Sequence, residues 1–318
     1  MKAELKSLFT PQQISPFMKM GNIINIVSFI ILFGITISIV ALYSSFGNFY
    51  YIFFGFLIMG AVQHTLATFV HEAAHYSLFT NKKMNDFFGH LLCSAPLASY
   101  LKDYRYFHFE HHRHTGVIGK DPELNLYRTM GLSPKFRSKK EVAMIFIQDF
   151  TGISYLRSLM YLMRFFGEKR KLGIIETPNL VEHLCLMIWF VFIPISMWKM
   201  GLLVPFLIFW ILPIITISPI LLRWHGFGEH IRENSLSTPE NTLTHKLGLI
   251  PTLFIYPINS SYHLEHHLYP QIPWYHLKNF YHWACKNEIY AQNSERLAVD
   301  GFFIGHKTVV KLTFPIEK

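Results

Sequence analysis

The run MGNIINIVSFIILFGITISIVALYSSFGNFYYIFFGFLIMGAVQ, Met20–Gln63, contains no charged residue. A bilayer core about 30 Å thick takes roughly 20 helical residues per crossing, so this run is too long for one span and suits two. The turn-forming cluster Ser44-Ser-Phe-Gly-Asn48 divides it, which predicts spans over about 21–43 and 49–70. His71-Glu-Ala-Ala-His75 follows directly, so this histidine box emerges on the side of the membrane where the chain begins.

The rest of the chain extends that reading. With 51% hydrophobic residues in 318 and a mean hydropathy of +0.25, the composition is too apolar for an ordinary soluble enzyme. A net charge of +9 could serve nucleic acid, an anionic membrane face or acidic substrates. The basic residues cluster before residue 21, between Lys82 and Lys171, and from Arg223 onward, with Lys199 alone outside. That segregation is the positive-inside pattern, and no nucleic-acid motif accompanies it. Residues 1–19, broken by Pro11 and Pro16, read as a retained cytosolic N-terminus.

Met84–Leu101 is apolar but short and reads as a re-entrant or interfacial segment. Val142–Phe150 and Ile153–Phe166 are amphipathic, suited to the headgroup plane. A second pair of spans, about 180–198 and 202–222, turns at Trp198-Lys-Met-Gly201 and returns the chain to its original side just before Trp224-His-Gly-Phe-Gly-Glu-His230. The expected architecture is an all-α integral membrane protein: one domain over 1–318, four transmembrane helices in two hairpins, and a cytosolic helical cap from 71–179 and 223–318. Both termini would be cytosolic, in a bacterial inner membrane or an ER membrane. Cys93, Cys185 and Cys285 are widely spaced, which indicates neither a disulfide framework nor a thiolate metal site.

Eighteen histidines are a large excess, and they recur in patterns. His71 and His75 are spaced i, i+4; His108, His111 and His112 are spaced i, i+3, i+4; so are His263, His266 and His267. On a helix each set projects from one face. The predicted topology brings all three boxes to the same side of the membrane. Eight imidazoles are too many for one four- to six-coordinate ion, so two metals are expected, with His230 as the natural ninth ligand. Imidazole suits Zn, Cu, Fe and Ni alike. His64, inside the second span, is a functional candidate or a hydrogen-bonded interhelical residue. HEAAH also matches the zinc-protease pattern with Glu72 as general base, a rival that leaves the other two boxes unexplained.

The set HEAAH (71–75), FHFEHHRHTG (107–116) followed by Asp121-Pro122, and NSSYHLEHHLYPQIPW (259–274) resembles the membrane fatty acid desaturase superfamily, which also contains hydroxylases and carotenoid ketolases. The resemblance covers roughly Phe49 to Leu277. It implies four transmembrane helices with a cytosolic cap, and a non-haem diiron centre of two Fe ions. It also implies O2 as co-substrate with two external electrons, and a lipid or fatty-acyl substrate. The nine histidines above match the family's metal positions. In some acyl-CoA desaturases an Asn stands four residues before the isolated ligand; here that place is Gly226, with His225 adjacent. Glu110 and Glu265 either orient imidazoles from behind or are simple helix-surface carboxylates, and Tyr269, Trp274 and Tyr275 either anchor the cap at the interface or serve ordinary packing. No HPGG haem motif or cysteine array occurs, so electrons are expected from a separate ferredoxin, or from cytochrome b5 with its reductase. The favoured outcome is a double bond introduced into a fatty-acyl or lipid chain; the alternative is hydroxylation or ketolation of a lipid, carotenoid or small amphiphile.

Overall fold

The computed structural model describes residues 2–131, 138–230, 242–302 and 308–309. Parts of the expected cap, 132–137, 231–241, 303–307 and 310–318, lie outside the described residues. The fold is mostly helical. After the short turns Lys2–Ser7 and Pro11–Ile14 come α1 (Asn22–Ala41), α2 (Phe49–Ala74), α3 (Lys82–Phe88), α4 (Leu101–His114), α5 (Pro122–Thr129), α6 (Lys139–Phe150) and α7 (Ile153–Lys171). Then follow α8 (Leu180–Lys199), α9 (Leu203–Gly226), β1 (Thr244–His245), α10 (Leu249–Phe254), α11 (His263–Leu268), α12 (Trp274–Ala284), α13 (Glu288–Arg296) and β2 (Ala298–Val299). Four helices, α1, α2, α8 and α9, are long and apolar enough to cross a membrane. The chain divides into two compact units, residues 21–105 with 149–221, and residues 1–20 with 106–148 and 222–318.

The first of these units holds the apolar helices. Asn48 caps α2 by accepting from Tyr51 N at 3.0 Å, and the helix then runs 26 residues, about 39 Å at 1.5 Å per residue, four residues past the expected span. Half of the apolar windows of α2 and α9 is buried, against 22% in α1 and 17% in α8, so α2 and α9 are the inner pair. Their close approach requires Gly60, where a Cβ would come within 2.3 Å of Ile217 Cγ2. Apolar surroundings cannot hydrate an amide, and Gln63 Nε2 accordingly donates to Trp210 O at 2.6 Å. The indoles of Trp189 and Trp210 stack, with centroids 5.1 Å apart. π-type turns at Ile188–Phe192 and Leu207–Ile211 are each followed two residues later by a proline, Pro194 and Pro213, whose missing N–H groups disturb the regular ladder. The segment after α3 is not among the four membrane-length helices. It widens into a π-type turn at Gly89–Ser94, tightens into a 3-10 turn at Ala95–Leu97, then reverses at Ala98 (φ 56°), where Ser94 Oγ donates to Ser99 O at 2.8 Å.

The other unit has its own core. Phe280 and Leu277 of α12, Tyr290 of α13, and Leu264 and Leu268 of α11 pack with Leu5, Phe9 and Ile14 from the N-terminus. Phe9 and Phe17 both lie against Trp283, at centroid distances of 4.9 and 5.3 Å. The N-terminus is therefore a core element here and not merely a polar leader. Tyr269, expected as an interface anchor, is buried in this core with its hydroxyl donating to Lys6 O at 2.8 Å. A two-residue parallel pair, Thr244 with Ala298 and His245 with Val299, closes the unit behind α11.

Candidate metal centre

Helix α4 places His108, His111 and His112 on one face, α11 does the same for His263, His266 and His267, and His230 follows the helix that continues from α9 to Glu229. Within their unit these seven imidazoles form two groups. The ring nitrogens of His111, His230, His263 and His267 lie within 4.8 Å of one another, and all four residues are buried. His263 Nε2 is 2.7 Å from His230 Nε2 and 3.1 Å from His267 Nε2, while His111 Nε2 is 3.1 Å from His230 Nε2. The other group consists of His108, His112 and His266, with His112 Nε2 2.9 Å from His108 Nε2 and 3.1 Å from His266 Nε2.

Carboxylates stand behind the first group. Asp121, the N-cap of α5, accepts from Glu123 N at 2.9 Å, Leu124 N at 3.2 Å and Gly116 N at 2.7 Å, and its Oδ1 lies 3.0 Å from His111 Nδ1. Glu123 Oε2 is 3.4 Å from the same nitrogen, and Glu229 Oε1 is 3.3 Å from His263 Nδ1. Burial alone would lower the His111 pKa, but Glu123 and Asp121 outweigh it and raise it to about 9. His267 goes the other way: burial, followed by the neighbouring imidazoles, holds it well below its ordinary value.

This donor set fits a cation. Carboxylates on His111 and His263 Nδ1 draw the ring proton to the outer nitrogen, which turns the Nε2 lone pair inward. A ring nitrogen offers at most one N–H, so Nε2 atoms that approach two neighbours at 2.7–3.1 Å cannot all be satisfied as hydrogen bonds. Converging lone pairs, with three acidic side chains outside them, call for positive charge at the centre.

His71 and His75 belong to the unit that holds the apolar helices. α2 ends at Ala74, so His75 is its C-cap and not a body residue; the two rings are 5.0 Å apart between centroids. Arg105 fixes this end by donating from Nε to Ala74 O and from Nη2 to Ala73 O, both at 3.0 Å, and by pairing with Asp86 at 2.5 Å. Burial, and then the charges of His71 and Arg105, keep His75 well below its ordinary pKa. Glu72, the base of the protease reading, is engaged by its neighbours: Oε2 accepts from Ser77 Oγ at 2.9 Å and Oε1 lies 3.3 Å from His71 Nδ1.

The remaining candidates sort by their contacts. His90 is structural, its Nε2 at 3.0 Å from Glu182 O and its Nδ1 accepting from Leu101 N at 3.4 Å. His225 lies outside the imidazole groups, with Nδ1 donating to Ile255 O at 2.7 Å and Nε2 3.2 Å from Glu229 Oε1. His64 is buried in α2, outside the same groups. Glu110 pairs with Arg113 at the surface and not with a clustered imidazole. Glu265 is fully buried and accepts from Thr244 Oγ1 at 2.6 Å and Tyr290 Oη at 2.7 Å, so it bolts α11 to β1 and α13. Gly226 is explained by space: a Cβ there would lie 1.6 Å from the Tyr127 hydroxyl, which itself donates to Glu123 Oε1 at 2.9 Å. Sequence reasoning did not assign Asp121, Glu123, Tyr127 or Glu229. Asp121-Pro122 was visible as an N-cap followed by Pro at N1, but nothing local marked the other three.

The chain is 28% identical over 228 residues to dihydrorhizobitoxine desaturase of Bradyrhizobium elkanii, an alignment covering 69% of this chain and 63% of that relative. The Fatty acid desaturase family profile matches residues 48–296, a stretch that contains every histidine of the three boxes and His230. With its four membrane-length helices and its clustered, carboxylate-backed histidines, the chain belongs to the fatty acid desaturase family.

Proposed function

We propose that the protein is an O2-dependent, non-haem diiron membrane oxidoreductase that introduces a double bond into a fatty-acyl or lipid chain. The buried quartet His111, His230, His263 and His267, with Asp121 and Glu229 behind it, is the observation that carries this reading. Nitrogen donors backed by carboxylates, with no thiolate, suit a redox-active first-row metal held for repeated turnover. All nine histidines, His71, His75, His108, His111, His112, His230, His263, His266 and His267, are assigned as ligands; for His71 and His75 the assignment follows from the resemblance in their motif.

Two iron ions, when bound, would supply the activation of O2 with two external electrons. The balance is one saturated –CH2–CH2– unit, one O2, two electrons and two protons giving –CH=CH– and two waters. The chain's own residues hold and orient the site. Asp121 and Glu123 fix the His111 ring, Glu229 fixes His263, and Glu265 keeps α11 seated. A separate ferredoxin, or cytochrome b5 with its reductase, delivers the electrons. Four spans in two hairpins carry a cytosolic cap as one domain over 1–318, with both termini cytosolic.

The relative's name describes desaturation, which favours alkene formation over hydroxylation or ketolation. Membranes expressing the protein, supplied with O2 and a reductase system, should yield a product two hydrogens lighter than its precursor. A product heavier by one oxygen supports the hydroxylase reading instead. Metal analysis should find iron, and His111→Ala and His266→Ala should lose both iron and turnover; full activity with full iron content in either variant overturns the proposal. Zinc in place of iron, with sensitivity confined to His71, Glu72 and His75, would favour the protease.

A further inference from the structure

One surface of the cap-forming unit is apolar without serving the histidine groups. In α10, Leu249, Ile250, Leu253 and Phe254 are 74%, 71%, 55% and 37% exposed. They fall at i, i+1, i+4 and i+5, one side of a two-turn helix. The helix contains no charged residue. Its C-terminal end is tied to the last turn of α9, where His225 Nδ1 donates to Ile255 O at 2.7 Å and Tyr256 Oη donates to Trp224 O at 3.0 Å. Trp224 and His225 both belong to the membrane-length stretch Leu203–Gly226. These two bonds therefore hold α10 beside the C-terminal end of that stretch, where a span of this length leaves the hydrocarbon.

Depth decides what covers the apolar face. Four adjacent large apolar side chains are costly in water, whereas the boundary between headgroups and acyl chains accepts them. The connection to the ligand helix is also stiff, since Ile258 (φ 47°) and Asn259 (φ 57°) are consecutive left-handed residues and a β-branched Ile rarely adopts that conformation. α10 is therefore not a loosely tethered loop free to turn its face away.

We propose that α10 is an in-plane membrane anchor, its Leu249, Ile250, Leu253 and Phe254 face seated in the phospholipid interface beside the end of α9. The proposal rests on the reading of α9 as a membrane span and is independent of the reaction catalysed. The test uses the full-length protein, metal-loaded, in nanodiscs of phosphatidylcholine and phosphatidylglycerol that contain a lipid with a diazirine near its glycerol. After photolysis, mass spectrometry maps the lipid adducts. Adducts are expected within 249–254 and on exposed span residues such as Phe53 and Leu207, and Ile250→Lys with Leu253→Lys should lose most of those in 249–254. Adducts on the spans but none in 249–254 overturn the anchor alone. Adducts in neither place overturn the membrane reading as well. A nitroxide at position 253, in a chain with Cys285→Ser, gives a second readout: more frequent collision with O2 than with a water-soluble nickel chelate supports the anchor, and the reverse overturns it. Protein–protein crosslinks from 249–254 to a second copy, in place of lipid adducts, would also overturn it.

Discussion

Asp121 shows how much one side chain can decide at the site. It caps α5, accepts from Gly116 N and faces His111 Nδ1, so one carboxylate sets both the loop after α4 and the orientation of a ligand. Asp121→Asn should cost roughly 10–100-fold in metal affinity, as removal of such outer partners does, and chelator competition will measure it. In the metal-free protein the same pair has a pH signature. The His111 pKa in the fold, about 9, lies above its ordinary 6.5, so its contribution to stability is fully present below 6.5 and is lost as the pH rises to about 9. Denaturation of metal-free protein should therefore find Asp121→Asn further below wild type at pH 6 than at pH 9; an unchanged gap would refute the account. Gly226 makes a steric prediction. Gly226→Ala drives a methyl into the Tyr127 phenol and should destabilise by about 1–3 kcal/mol in thermal unfolding, as overpacking does. Adding Tyr127→Ala should remove that increment.

At the scale of elements, the end of α2 depends on a single guanidinium. Arg105 donates to two carbonyls of the last turn; Ala73 O also accepts from Asn85 Nδ2 at 2.9 Å and Tyr76 N at 3.2 Å, whereas the bond to Ala74 O is supplied by Arg105. Arg105→Ala should destabilise by about 1–3 kcal/mol, the cost of leaving the Ala74 carbonyl without its donor, and should increase amide exchange at His75 and Tyr76. The spans themselves were legible because hydropathy is a local sum over some 20 residues. Expected boundaries of 49–70 and 202–222 compare with helices over Phe49–Ala74 and Leu203–Gly226. The extra residues at the ends are histidine-bearing turns, which a hydropathy reading cuts off because they are polar. The π-type turns before Pro194 and Pro213 were not read, since a lone Pro signals a break without stating its form.

On the scale of the whole molecule, the packing of the N-terminus was not legible in the sequence. Residues 1–19 are polar on average, but Leu5, Phe9 and Ile14 point into the core of the unit formed with α11, α12 and α13. Phe9→Ala should cost about 3–5 kcal/mol, a core-sized loss that denaturant titration in lipid nanodiscs can resolve; a cost within about 0.5 kcal/mol would mean that the segment is a surface strand of chain. The chemistry-bearing residues were easier to read than their supports. Three histidine boxes with helical spacing identify ligand types from one local pattern. Their partners lie elsewhere in the chain: Glu229 faces His263, and Thr244 and Tyr290 hold Glu265.

By itself the sequence determined four membrane-length apolar stretches, the imidazole character of the site and the family, because each is written in contiguous residues whose periodicity or hydropathy needs no tertiary partner. Only the tertiary structure decided which carboxylate stands behind which imidazole, why position 226 is glycine, and that Leu5, Phe9 and Ile14 are core. Those outcomes depend on contacts between segments far apart in the chain, such as Lys6 with Tyr269 and Tyr127 with Gly226. Local propensity carries no information about such contacts, because many distant partners could satisfy the same donor or fill the same space until the fold selects one.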